Sequence, residues 1–421
     1  MDRGMCGHLV KSGNRRPEIR ALSNKGISRM QFSKARKTVL RRLSLAGVSA
    51  AALFAFGAGA ANADPLATPA MTAPLSANVK PTKFDGGPLG EINVTGVVSG
   101  LGYVQNNKVG LDYESRGDIS NAQVFIQKTD GPIQFYAQFG AYSIPVLEIP
   151  YTKSSDNTKN SFGLLPQGWV TWVPSANFNV QVGKLATLYG AEYTYTFQNT
   201  NIQRGLVWNQ ENAVNRGVQA NYTSGPFALS VSVNDGFYSN RYSWVTALAS
   251  YKFDANNVLV VSGGGNLSKA TSGGSPTYTP LLQNNQEVLN VIYTHTSGPL
   301  TITPYFQYTH IPAMPSLGVT KAASTTGVAL LGKYSVTPEF AWAFRGEYIS
   351  SSKGGGVTSP LFFGPGADAW SLTVTPTYQK GIFFARGEAS YTKVSDYTTG
   401  FGLKGDKSSQ LRGLLEIGFL F

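Results

Sequence analysis

From Ile133 to Ala141 the chain alternates between two kinds of residue. Ile133, Phe135, Ala137, Phe139 and Ala141 hold the odd positions, while Gln134, Tyr136 and Gln138 hold the even ones. A period of two puts one set on each face of a β-strand, so this strand has one oily face and one wet face. The same dyad recurs in Phe178–Val182, Phe227–Val233, Leu300–Tyr308 and Trp370–Tyr378. Turn-forming residues separate pairs of such segments, at Asp130-Gly131-Pro132, Pro174-Ser175-Ala176, Ser224-Gly225-Pro226, Asp254-Ala255-Asn256, Ser297-Gly298-Pro299, Thr337-Pro338 and Lys380-Gly381. Between consecutive turns lie two strands of about ten residues and one longer, polar loop, the spacing of a transmembrane barrel.

Seven short turns and eight long loops predict sixteen strands. They fall near 91–104, 119–128, 133–142, 163–173, 178–185, 214–223, 227–234 and 242–253 in the first half. The second half supplies 257–265, 287–296, 300–310, 326–336, 340–350, 370–379, 382–391 and 409–421. After Asp64 no apolar run is long enough for a transmembrane helix, so any crossing is made by strands. The expected fold is therefore an all-β, transmembrane antiparallel β-barrel of about sixteen strands over residues 91–421. An even count places both termini on the periplasmic side. Tyr222, Tyr251, Tyr293, Tyr308, Tyr334, Tyr348, Tyr378 and Tyr391 fall near strand ends on the apolar parity, where bilayer interfaces favour them. A soluble sandwich or propeller would also alternate, but it would not need such unequal connections.

Charge changes the picture only at the N-terminus. The net charge of +12 suggests a nucleic-acid partner, yet residues 1–63 hold twelve of the 35 Lys/Arg and two of the 23 Asp/Glu. The remainder carries 23 basic against 21 acidic residues, so a nucleic-acid partner is not expected. Lys34, Arg36, Lys37, Arg41 and Arg42 precede an apolar run from Leu43 to Phe56, and Ala61-Asn62-Ala63 follows. This order is that of a secretory signal cleaved after Ala63, with Met30 a candidate true start. Residues 64–90, rich in Pro, Ala and Thr, are expected to be a flexible periplasmic segment. The single cysteine, Cys6, lies in the leader, which removes thiol chemistry from the mature chain.

Val182-Gly-Lys-Leu-Ala-Thr-Leu-Tyr-Gly-Ala-Glu192, Asn199-Thr-Asn-Ile-Gln-Arg-Gly-Leu-Val-Trp208 and Arg216-Gly-Val-Gln-Ala-Asn-Tyr222 stand close together, and Arg345-Gly-Glu-Tyr348 follows later. These stretches resemble the OmpL-like β-barrel porin family, with Thr187-Leu-Tyr-Gly190 departing from the expected Thr-Pro-Phe-Gly. The resemblance implies a Gram-negative outer-membrane porin, a passive diffusion channel for ions and small hydrophilic solutes; Gln, Asn, Ser and Thr dominate the lumen parity of the middle strands, which suits neutral cargo such as sugars. The resemblance also implies that the third long loop, Ala186 to Ala213, folds inward. Glu192, Arg204 and Glu211 would then face the solute path.

Charges within strands point the same way. A cation facing lipid at mid-membrane costs about 2–4 kcal/mol, so strand charges belong on the lumen parity. Arg345 and Glu347 oppose Phe340, Trp342, Phe344 and Tyr348, whereas Arg412 and Glu416 oppose Leu411, Leu415 and Ile417. Arg386 and Glu388 oppose Phe383, Ala385 and Ala389, although Ile382 and Phe384 share their parity. This charged ladder is expected either to line one wall of the pore, with the loop glutamates opposite, or to form internal ion pairs that stiffen the barrel. Lys184 shares parity with Phe178, Val180 and Val182, so it either snorkels at the rim or follows a bulge at Gly183. The chain ends on Phe419-Leu-Phe421, which resembles the signal read by the barrel-assembly machinery.

Catalytic chemistry finds no foothold in the pattern. His295 and His310 have no neighbour at metal-ligand spacing, and no Gly-x-Ser-x-Gly elbow is present. Neither a cofactor nor a metal is expected. Expected partners are solutes, lipid and lipopolysaccharide, the assembly machinery, and copies of the chain in the homotrimer that the architecture suggests. The rival functions are a surface adhesin or other non-channel barrel, and a membrane-embedded hydrolase.

Overall fold

The computed structural model describes residues 74–78, 80–271, 283–317, 319–353 and 363–421; the leader and its cleavage site lie outside them. A short strand comes first, β1 (Thr82–Asp85), followed by β2 (Glu91–Gln105), β3 (Ser115–Lys128), β4 (Ile133–Tyr142), β5 (Gln167–Ser175) and β6 (Phe178–Ala186). Next are β7 (Val214–Ser224), β8 (Phe227–Asn234), β9 (Trp244–Lys252), β10 (Asn257–Asn266), β11 (Glu287–Ser297) and β12 (Leu300–Ile311). The last are β13 (Ala323–Ser335), β14 (Phe340–Ser351), β15 (Asp368–Lys380), β16 (Phe383–Ser395) and β17 (Ser409–Leu420). One helix of the second long loop, α1 (Ser154–Asn160), completes the set.

Strands β2 to β17 pair antiparallel, each with its sequence neighbour, and β17 pairs back onto β2 with Leu415 opposite Gly102. Sixteen strands close, so no edge remains to seek an outside partner. All sixteen predicted strands are present, with their ends shifted by no more than four residues. One of the largest shifts, from 119 to Ser115, sits beside a register break at Ser99/Gly100, where Ser120 is extra and interrupts the alternation. Another is at β5, which starts at Gln167 rather than 163, directly after Pro166, a residue with no N–H to give a ladder.

Burial follows the dyad. On β14, Ala341, Ala343, Arg345, Glu347 and Ile349 are buried, while Trp342 and Tyr348 are exposed. Such an apolar exterior suits lipid contact. Phe384 and Ile382, which blurred β16, separate cleanly. Phe384 is buried against Leu75, Val97 and Leu420, whereas Ile382 belongs to the turn before the strand. Lys184 keeps its outward parity with no bulge at Gly183, and its ammonium donates to the carbonyls of Phe162 and Leu165 at 3.1 and 2.8 Å. Of the two expected alternatives, the snorkel is the one observed.

The stretch 64–90, read as flexible, contains a built element. β1 folds back on β2 with Asp85 opposite Glu91, and Lys83 pairs with Glu91 at 2.9 Å. Ahead of it Leu75 is buried, and Gln379 of β15 clasps the backbone of Ser76 through two hydrogen bonds of 2.8 and 2.9 Å. The N-terminal segment is thus tied to the barrel at the end carrying the short turns.

Phe421 ends the chain on the same rim. Its backbone exchanges hydrogen bonds with Gly96 of β2 at 2.6 and 2.9 Å. Its ring occupies the space a Cβ at residue 96 would need. Gly96→Val is expected to displace the ring and crowd the Gln123 carbonyl, lowering the yield of heat-modifiable, folded barrel in outer-membrane fractions. Normal yield would exclude a role for this contact.

Candidate functional site

The connection between β6 and β7, residues 187–213 and called L3 here, does not run over the surface. Tyr195, Phe197, Ile202, Arg204, Leu206 and Val207 are fully buried, and their partners are the inward residues of strands on both sides of the barrel. A loop so placed must find partners for every polar backbone group away from bulk water. The strand charges supply them.

Each glutamate of the ladder accepts from L3. Glu347 accepts from the backbone N–H groups of Leu206 and Val207 at 3.1 and 3.2 Å and from Ser371 Oγ at 2.7 Å. Glu388 accepts from the N–H groups of Ile202 and Gln203 at 2.5 and 3.2 Å, and from Thr375 Oγ1. Glu416 accepts from Thr196 Oγ1 at 2.6 Å, and also from Ser99 of β2 and Ser120 and Asn121 of β3.

The arginines donate to it. Arg345 reaches Glu192 Oε1 at 2.6 Å, the Gln203 carbonyl at 2.7 Å and Glu347 Oε2 at 3.0 Å. Arg386 donates to the carbonyls of Thr196, Asn199 and Thr200 at 2.8–3.0 Å and lies 3.8 Å from Glu416. Arg412 donates to Gln203 Oε1, Gln105 Oε1 and the Val146 carbonyl, with Asp112 3.7 Å away. Charge-assisted bonds are about twice as strong as neutral ones, and arginine's planar fork makes several at once.

The loop's own charges have separate tasks. Arg204 braces L3 internally, donating to the carbonyls of Thr194, Asn201 and Ile202, while Glu192 accepts from Gly205 N–H at 2.9 Å. Glu211 lies against the same side of the barrel two strands from Arg345, accepting from Tyr305 Oη of β12. Burial raises its carboxyl well above the usual range. Gly205 is required by space: a Cβ there would overlap the Glu347 carboxylate.

One expected arrangement had arginines of one wall facing glutamates of the loop across open lumen, and the other had internal ion pairs. Glu192 does not face Arg345 across open lumen but touches it, and the ladder residues are buried under L3 at 0–6 % exposure. Phe419 and Phe421 lie apart from this cluster, at the closing seam.

Two contributions escaped the sequence reading. Residues 145–147 of the second long loop also enter, pairing in parallel with L3 at Val146 and Arg204. The apolar run Ile144-Pro-Val-Leu147 was the available signal, being ill-suited to a solvated loop. Glu148 follows, fully buried, accepting from Asn209 at 2.9 Å, its carboxyl pushed up to about 8 by burial. Opposite the charged wall, the lumen-parity amides and hydroxyls of β6 to β8 form a neutral ladder. There Gln219 bonds Gln181 and Asn221, and Asn221 bonds Asn179 and Ser230. No group of three metal-ligating side chains occurs among the described residues.

Residues 91–421, the whole barrel, match the family model described as putative beta-barrel porin-2, OmpL-like. The chain belongs to this family. It is an outer-membrane porin, an integral β-barrel of the Gram-negative envelope. No curated protein matches it. Among solved structures the porin resembles OmpT of Vibrio cholerae, at 14% identity over 81% of this chain and 100% of the other, with a TM-score of 0.53. The outer membrane channel DcaP of Acinetobacter baumannii aligns at 11% identity over 79% and 97% of the two chains, with a TM-score of 0.54. An anion-selective porin from Comamonas acidovorans aligns at 11% identity over 78% and 99%, with a TM-score of 0.53. At these identities the likeness is one of fold.

Proposed function

We propose that the porin is a passive, weakly ion-selective channel for small neutral hydrophilic solutes, with L3 setting its bore and no catalytic role. The observation that carries this reading is the use of the ladder charges. Arg345, Arg386 and Arg412 are matched by Glu192, Glu347, Glu416 and Asp112 or by loop carbonyls, so little uncompensated charge is left to select ions. Amides and hydroxyls of β6 to β8 line the facing wall. In this reading the leader is removed after Ala63, and both termini and the short turns lie on the periplasmic side. The Phe419–Phe421 end is read by the assembly machinery, and the exterior contacts lipid and lipopolysaccharide. The trimer form described for OmpT of Vibrio cholerae, which shares the fold at a TM-score of 0.53, supports a homotrimer.

Purified protein in a planar bilayer tests the channel. Discrete conductance steps and a small reversal potential in a tenfold KCl gradient are expected. A reversal potential close to the ideal value for either ion would overturn weak selectivity, and absence of steps would favour the adhesin reading.

A further inference from the structure

The lumen wall changes character from one end to the other. On β11 to β13 the inward side chains at the height of L3, Asn290, Gln307, Thr309 and Thr325, are buried at 0–2 % exposure. Nearer the short turns, Thr294, Thr296, Thr301, Thr303 and Lys333 on the same parity are all partly exposed. Water therefore reaches the wall below the loop but not behind it, and a charge in the wet part meets a passing ion directly.

Lys333 is such a charge. It shares the inward parity of Ala329 and Leu331, and it stands opposite Thr301 of β12 and Ala343 of β14. Leu331 is opposite Arg345, so Lys333 lies one dyad step below a residue that anchors L3. Among the described residues its ammonium makes no ion pair or hydrogen bond. Its inward neighbours are neutral, with Thr301 and Thr303 bonded to Thr296 and Thr294 at 3.2 Å. Glu339, in the turn to β14, is exposed and accepts from the Thr337 hydroxyl instead. Glu91, a carboxylate on the inward parity of β2 at this end, is already paired with Lys83 at 2.9 Å. Lys252 shares the inward parity of Leu248 and Ser250, but as the last residue of β9 it sits at the rim.

We propose that Lys333 sets the sign of the channel's selectivity, giving small inorganic anions such as chloride the advantage over cations. The inference rests on the porin reading and names the preference that reading leaves open. The charges that anchor L3 are paired or bonded out of contact with water, whereas an ion below the loop meets an ammonium on one side. Across the bore Asn179 and Gln181 of β6 offer amides only. An anion is drawn to the ammonium and accepts from the Thr301 and Thr303 hydroxyls beside it, while a cation is repelled; a basic side chain in a pore wall selects in this way. One unit charge in a wet lumen has a modest effect, about two- to threefold in favour of chloride over potassium near 0.1 M salt, where screening acts over about 10 Å.

The test is the reversal potential in a KCl gradient, measured in a planar bilayer for wild type, Lys333→Gln, Lys333→Glu and Lys252→Gln. Wild type should show that chloride preference near 0.1 M and lose most of it near 1 M, where screening acts over about 3 Å. Lys333→Gln is expected to bring the permeability ratio to about one and Lys333→Glu to invert it, both with conductance steps retained because the ammonium holds nothing in place. Lys252→Gln should keep most of the preference. A wild-type channel that prefers potassium would overturn the proposal whether or not the variants assemble. So would Lys333→Glu channels with the wild-type ratio, or a preference that disappears in Lys252→Gln instead. Each of these results leaves the porin standing, since steps are seen, whereas a wild-type protein without steps would strike the porin reading and this inference with it.

Discussion

Replacing Arg345 and Arg386 together by Gln is expected to release L3 from the barrel wall, raising single-channel conductance and shifting selectivity toward cations. The two guanidinium groups make five of the bonds that hold the loop, to Glu192 and to the carbonyls of Gln203, Thr196, Asn199 and Thr200. Glutamine is shorter and has no charge, so it cannot restore them. Three carboxylates, Glu192, Glu347 and Glu416, would lose their counter-charges in a poorly solvated interior. Breaking a buried pair by removing one partner costs about 3–5 kcal/mol, enough to undock a loop. The selectivity shift should be largest at low ionic strength, because salt near 0.15 M screens charge beyond about 8 Å. Unchanged conductance and reversal potential at low salt, in a variant that assembles normally, would refute the docking role.

Glu416→Ala is expected to weaken the closed barrel more than any other single change to the ladder. Its carboxylate gathers Ser99 of β2, Ser120 and Asn121 of β3 and Thr196 of L3, and faces Arg386 of β16. Alanine would remove the acceptor these donors share and the carboxylate counter-charge beside the buried Arg386 guanidinium, for a loss of about 3–5 kcal/mol. The measurement is the urea midpoint of protein folded into lipid vesicles. Glu416→Gln retains one amide oxygen as acceptor and should fall between wild type and alanine. An alanine variant as resistant as wild type would show that the seam does not depend on this residue.

How far these features could be seen in advance depended on the rule behind each. The strands were legible because lipid punishes a parity error, which forces Trp342 out and Arg345 in at every second residue. The rule failed at Ser120, where a bulge shifts parity with no signature in composition. Lumen parity for Arg345, Arg386 and Arg412 followed from the same constraint, but their partners did not. Pairing with Glu192 or the Thr196 carbonyl is decided by the path of L3, and no periodicity describes an irregular loop. Glu148 was missed because the second loop was judged by its length and polarity. Its apolar entry, Ile144 to Leu147, finds cover only inside the barrel.

The anchors of L3 have one further consequence, for the order of events. The loop leaves the wall between β6 and β7, yet the charges that hold it sit on β14, β16 and β17, 141 residues away for Leu206 and Glu347 and 220 for Thr196 and Glu416. Contacts so distant form late, since chain closure must precede them. During synthesis and insertion the loop is therefore free until the final strands arrive, and a half-built barrel has no defined aperture. Sealing the wall and sizing the hole become a single event, so that a chain lacking its last strand would be both unclosed and ungated.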